Sequence, residues 1–237
     1  MKKLLAISLF ALTATAANAD AAWLQYSIWS PGDLLLPWNR PDVYGLRLDM
    51  PNGGNKGSVY GVDLGLVGLA DGDMLGFQSG VVSITDIGDT MGLQVGALAN
   101  RTKSFYGLQL SGFLNWNDDV FYGMQVGTVN FDGELYGLQI GAINWFVGNA
   151  CGASIGGFHI SNNSFTGFTA GALNYELHRM TGFQLGGINL AAESSAGLQL
   201  GLVNISKQHE GVQLGLVNIN GAGFLPCFLG FNFYFTR

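Results

Sequence analysis

Gly197-Leu198-Gln199-Leu200-Gly201-Leu202-Val203-Asn204 returns almost unchanged at Gly211-Val212-Gln213-Leu214-Gly215-Leu216-Val217-Asn218. The same frame runs back through the chain, opening at Gly45, Gly61, Gly76, Gly92, Gly107, Gly123, Gly137, Gly152, Gly167, Gly182, Gly197 and Gly211. The spacings are 14 to 16 residues. A period that short restricts the chain to an array of one small supersecondary unit.

Counting each repeat from its first glycine, position 3 is glutamine at Gln78, Gln94, Gln109, Gln125, Gln139, Gln184, Gln199 and Gln213. The exceptions, Arg47, Asp63, Ser154 and Thr169, are all polar. Positions 2 and 4 are mostly apolar, and position 5 is usually glycine. Position 8 is often asparagine, as at Asn130, Asn144, Asn174, Asn189, Asn204 and Asn218. Position 9 is often large and apolar, as at Phe131, Trp145 and Tyr175. The residue before the repeat is often tyrosine, as at Tyr60, Tyr106, Tyr122 and Tyr136.

Alternation of this kind is the period of a strand. Each strand would cover around 11 residues, close to the roughly 9–11 that cross a bilayer in a β-barrel. The remainder, as in Asn100-Arg101-Thr102-Lys103 or Ser206-Lys207-Gln208-His209, is polar and turn-like. Two architectures fit. In a β-solenoid every repeat is one coil and equal positions stack; in a barrel every repeat is one strand and one turn.

Two observations favour the barrel. Positions 10–13 carry no regular apolar residue, so one wall of a closed coil would have little to bury. Gly-x-Gln-x-Gly is also palindromic about its glutamine, so an antiparallel neighbour can present nearly the same face. Positions 2, 4 and 6 with the preceding tyrosine would then face lipid, and positions 1, 3 and 5 a lumen. Positions 7 and 9 break this parity, which calls for a bulge near the position-5 glycine.

Composition narrows the class. Thirty-seven glycines with only 11% charged residues are unusual for a soluble globular domain. A net charge of −6 argues against a nucleic-acid partner, which needs a basic face. Cys151 and Cys227 cannot form a disulfide framework, and nothing local brings them together. Met1-Lys2-Lys3, the apolar run from Leu4 to about Thr13, and Ala17-Asn18-Ala19 together read as a signal peptide over residues 1–19. Residues 20–237 are then one repeat-built domain. No later segment has the uninterrupted apolar run of a transmembrane helix, so entry into a membrane would require a barrel.

At the ends of the array, Trp23-Leu24-Gln25-Tyr26-Ser27-Ile28-Trp29 alternates and could be a first strand, followed by an irregular connection through Pro31, Pro37 and Pro41. The chain closes on Phe228-Leu229-Gly230-Phe231-Asn232-Phe233-Tyr234-Phe235-Thr236-Arg237. This resembles the terminal assembly signal of bacterial outer-membrane barrels, with Gly230, Phe233 and Phe235 in the signature places; Thr236 and Arg237 depart from it. The tandem repeats from about Val43 to Asn220 resemble a family of bacterial surface-repeat proteins. That resemblance implies an exported, envelope-associated protein and brings no catalytic residues with it. Gly152-Ala153-Ser154-Ile155-Gly156 is the weakest match.

Other candidate chemistry is thin. The glycine-rich repeats lack the strand–turn–helix setting of a phosphate loop. His159, His178 and His209 lie in three different repeats with no metal spacing. The acidic stretches Asp71-Gly72-Asp73, Asp86 to Asp89, Asp118-Asp119 and Asp132-Gly133-Glu134 read as solvated turns, not calcium loops. There is no Gly-x-Ser-x-Gly nucleophile elbow.

The resulting expectation is an all-β, up-and-down antiparallel transmembrane β-barrel of about 14 strands in an outer membrane, with a β-solenoid as the alternative. Its role would be structural or pore-forming, with the glutamine row lining or filling the lumen. Its partners would be the lipid bilayer and the barrel assembly machinery, with no cofactor, no metal and no enzymatic activity. The alternative solenoid would be an exported adhesin or interaction module.

Overall fold

The structure is a computed structural model that describes residues 21–27, 35–36, 42–55, 57–223 and 225–235. The expected leader, the prolines of the irregular connection, Thr236 and Arg237 lie outside the described residues. Every regular element described is a strand: β1 (Ala21–Ser27), β2 (Leu35–Leu36), β3 (Asp42–Asn55), β4 (Val59–Ala70), β5 (Met74–Ser111), β6 (Leu114–Val126), β7 (Val129–Phe146), β8 (Ala150–Ser161), β9 (Phe165–Glu176), β10 (Arg179–Asn220) and β11 (Cys227–Tyr234). The chain forms two compact units, Met1–Trp116 and Asn117–Arg237, with the boundary inside β6.

Strand pairing overturns the barrel. In the C-terminal unit β7 pairs with β8, β8 with β9 and β9 with β10, all parallel. In the N-terminal unit β3 pairs with β4 and β4 with β5, again parallel. The register joins equal positions of successive repeats: Gly137 to Gly152 to Gly167 to Gly182, and Asn144 to His159 to Asn174 to Asn189. An up-and-down barrel requires antiparallel neighbours, so each unit is a parallel β-solenoid in which one repeat makes one coil. The long strands β5 and β10 are successive coils joined without a break in extended structure.

The inside of a coil is not uniformly apolar, as the barrel expectation required a coil to be. Four positions of the repeat point inward: the residue two before the first glycine, then positions 3, 8 and 10, the last two becoming 9 and 11 in the repeats that open at Gly92 and Gly107, which carry one extra residue. The first row is largely apolar, with Val43, Val59, Met74 and Phe105 in the N-terminal unit and Phe121, Leu135, Phe165 and Met180 in the C-terminal unit, all buried. The last inward row is buried too, yet it mixes Thr85, Asp132, Phe146, Glu176, Ala191 and Asn220 at position 10 with Asn117 at position 11. It carries no hydropathy period, and the wall expected to bury little is filled by a mixture in which polar side chains predominate. Inward parity passes from position 3 to position 8 around the position-5 glycine, so the expected bulge is a corner of the coil.

Position 1 takes glycine for backbone reasons. Gly182 has φ +127°, and a Cβ there would overlap the Gly167 carbonyl of the coil below. Position 5 takes glycine to leave room for amides: a Cβ on Gly186 would lie 2.6 Å from Asn174 Nδ2 and 2.9 Å from Asn189 Oδ1.

The ends also differ from expectation. β1 runs parallel to β3 and sets Gln25 opposite Arg47, so Gln25 is an extra member of the position-3 row that the repeat frame did not include. β11 pairs antiparallel with the end of β10, placing Phe233 opposite Val212 and Phe231 opposite Leu214. It covers the last coil instead of closing a barrel. Gly230, Phe233 and Phe235 are exposed there.

Candidate interaction surface

The eight glutamines singled out in the sequence lie inside the coils. In the N-terminal unit Gln94 donates to Gln78 Oε1 and Gln109 to Gln94 Oε1, both at 2.7 Å. In the C-terminal unit Gln139 donates to Gln125 Oε1 at 2.8 Å. Ser154 and Thr169 interrupt the row, which resumes with Gln199 donating to Gln184 Oε1 at 2.5 Å and Gln213 to Gln199 Oε1 at 2.7 Å. Burying primary amides is tolerable only because each meets a partner one coil away. Among the described residues there is no barrel lumen for them to line.

The position-8 asparagines form a second ladder. Asn174 Nδ2 donates to Asn189 Oδ1 at 2.7 Å and to the Leu185 carbonyl at 3.0 Å, and Asn204 Nδ2 repeats both contacts to Asn218 and Leu214. Each asparagine therefore ties its own coil to the corner of the next one. At the weak repeat, Asn144 Nδ2 donates instead to Ser154 Oγ and to the Ile155 carbonyl, both at 3.0 Å.

Departures from the repeat compensate one another. Arg47 and Asp63 stand at position 3 of adjacent coils. Arg47 Nε donates to Asp63 Oδ1 at 2.8 Å, its Nη1 to the Leu69 carbonyl at 2.8 Å, and it lies 3.1 Å from Asp49 Oδ2. Gln78 then donates to Asp63 Oδ2 at 2.9 Å, joining the ion pair to the glutamine row. Burial works against the Arg47 charge, but Asp63 and Asp49 outweigh it and its pKa is raised. Burial also raises the Asp49 carboxyl, against the pull of Arg47.

His159, at an asparagine position, is buried between Phe146 and Phe165, with its Nε2 2.5 Å from Glu176 Oε1. His209 is buried with Nδ1 2.8 Å from Ser195 Oγ, and burial lowers its pKa. A cleft of about 320 Å³ opens beside this pair, lined by Arg179, Ser194, Glu210 and Tyr234. Ser195 and His209 are themselves successive inward residues of the first row, so their contact replaces apolar packing. His178 is exposed and lies 3.0 Å from the exposed Glu193.

Asp132 corrects another expectation. It is not in a solvated turn but fully buried at position 10. Asn117 Nδ2 donates to its Oδ1 at 2.6 Å and Gln139 Nε2 to its Oδ2 at 2.6 Å. Burial nonetheless pushes its pKa to about 7, with the amide donors only partly opposing the shift. Among the described residues no group of three or more His, Cys, Asp or Glu is placed to hold a metal ion. Cys151 and Cys227 are free and exposed.

With only one inward row largely apolar, many large apolar residues are left outside. Positions 2 and 4 make one outward wall, including Ile155, Leu185 and Leu214; positions 6, 7 and 9 make a second, including Phe158, Ile188 and Trp145. Leu202 and Leu216, at position 6 of the two most regular repeats, are 60% and 67% exposed. The third wall, after position 10, carries the charges, as at Glu193 and Lys207. Scattered exposed leucines are ordinary, whereas continuous apolar rows of this kind mark contact surfaces. Comparisons with protein-family models, with curated proteins and with solved structures found no match.

Proposed function

We propose that this chain is an exported, envelope-associated β-solenoid acting as a non-catalytic interaction module, with the outward apolar walls as its contact surface. The observation that carries this reading is the reversal of polarity: amide ladders fill the coils while leucine, isoleucine and phenylalanine rows face outward. Amide ladders and one buried apolar row link the coils from inside, which leaves the outward rows free for a contact. Export is supported by the leader-like residues 1–19, and placement in the outer envelope by the resemblance to surface-repeat proteins.

The test is fractionation of bacteria expressing the full sequence, followed by protease treatment of intact cells. The expected result is a chain beginning at Asp20, recovered with the envelope and cut from outside. A full-length chain in the cytosol would overturn the proposal.

A further inference from the structure

Within the C-terminal unit the charges are sorted by wall. The nine-residue segments that open at Gly123, Gly137, Gly152, Gly167, Gly182, Gly197 and Gly211 contain no Asp, Glu, Lys or Arg. Every such residue described in this unit falls after position 9: Asp118, Asp119, Asp132, Glu134, Glu176, Arg179, Glu193, Lys207 and Glu210. Two of the three walls therefore present no formal charge at all.

Aromatic residues with a polar handle are sorted as well. Tyr122 and Tyr136 precede the first wall, where it meets the charged turns, and stack at 4.6 Å. Trp145 and Tyr175 stand at position 9, where the second wall meets the charged turns from the other side. The middle of both walls carries only aliphatic residues, Met, Phe, Thr and small residues on its outward side. β11 prolongs the pattern, with Phe231 and Phe233 extending the outward rows of Leu214 and Val212. Uncharged aliphatic surface, bordered by Tyr or Trp in the coils that open at Gly123, Gly137 and Gly167, matches the profile of a lipid layer from hydrocarbon to headgroup.

We propose that the two uncharged walls of the C-terminal unit rest in the surface of a lipid layer, with the charged wall kept in water. This is interfacial docking and not a span, and it rests on the reading of the walls as the contact surface. The occupant follows from two features. The walls meet at a corner at position 5, so a rigid second copy laid on one would leave the other in water, whereas acyl chains can follow both. The walls also repeat the same chemistry in every coil, which gives a folded partner no unique register but suits a fluid. Attraction of this kind is hydrophobic, and the acidic balance of the unit adds nothing to it.

The experiment is flotation of the purified full chain with vesicles of phosphatidylcholine. The variants are Leu216→Glu alone and Leu185→Glu with Ile188→Glu, all at outward positions. Any leader still attached is common to all forms, and circular dichroism verifies folding. The expected result is flotation of the parent chain that changes less than about twofold between low and high salt, because screening acts on charges. The double variant should lose at least about tenfold in bound fraction and the single variant several-fold, since Asp and Glu are costly in hydrocarbon.

Failure of the parent chain to float, or equal flotation of folded variants, would overturn the proposal. So would a stable lipid-free dimer that the same substitutions disperse, since that would assign the walls to a second copy. A surface-located chain that does not float removes only the lipid assignment. A cytosolic chain that floats removes only the envelope reading.

Discussion

Asn189 donates forward to Asn204 at 2.8 Å, while Gln199, inside the same coils, donates backward to Gln184. The two ladders thus run in opposite directions along the C-terminal solenoid. Each side-chain amide is oriented by its neighbour, and the opposed directions keep the amide dipoles from summing along one axis. Stacked amide ladders of this kind are a recognised source of stability in parallel β structures. Here they replace most of an apolar core.

Asn189→Ala should therefore be severe. It removes the donor to both the Leu200 carbonyl and Asn204 Oδ1, and it takes the acceptor from Asn174. Leaving buried polar groups without partners costs about 1–3 kcal/mol each, so a loss of roughly 3 kcal/mol or more is expected in chemical denaturation. Leu202→Ala, on the exposed wall, should change stability by less than about 0.5 kcal/mol.

Gly186→Ala tests the room left for the amides. The new methyl would press on Asn174 Nδ2 and on the Gly171 carbonyl, each 2.6 Å away, and backbone cannot yield as a side chain can. Overpacking costs typically about 1–3 kcal/mol, and displacing an amide adds to it. A thermal midpoint within a degree of the parent would rule the ladder geometry out.

The Arg47 and Asp63 pair predicts a rescue. Arg47→Met should destabilise the N-terminal unit by roughly 3–5 kcal/mol, because the Asp63 carboxylate remains buried without its cation. Arg47→Gln combined with Asp63→Gln restores the glutamine row and should be more stable than either single change. If the double variant is the least stable of the three, the two positions are not equivalent members of one ladder.

Asp132 predicts the pH dependence of the C-terminal unit. Its folded pKa of about 7 lies above the ordinary carboxyl value of 3.8. The folded form therefore holds a proton that the unfolded chain has released. Its contribution to stability is complete below about pH 4 and is lost as pH rises through 7, by an amount on the order of a few kcal/mol. Asp132→Asn should flatten stability between pH 4 and 7, measured by denaturant titration across that range. An unchanged slope in the variant would show that other groups set it.

What the sequence by itself determined is the unit of construction. Period, strand character, the inward glutamine and the outward positions 2 and 4 are all local, because a side chain's alternation is set by the strand that carries it. Local pattern cannot choose between antiparallel and parallel stacking, since Gly-x-Gln-x-Gly reads nearly the same in either direction. Tertiary structure decided that, and with it the fate of residues such as Asp132, Glu176 and Asn220. Each looks like an ordinary turn residue until the coil closes and turns it inward. The Arg47 and Asp63 exceptions could have been read earlier, as opposite charges at one position of adjacent repeats. That signal has meaning only if equal positions stack. The coil makes them stack, because a parallel register sets each position opposite the same position of the next repeat, amide on amide in most coils and Arg47 on Asp63 here.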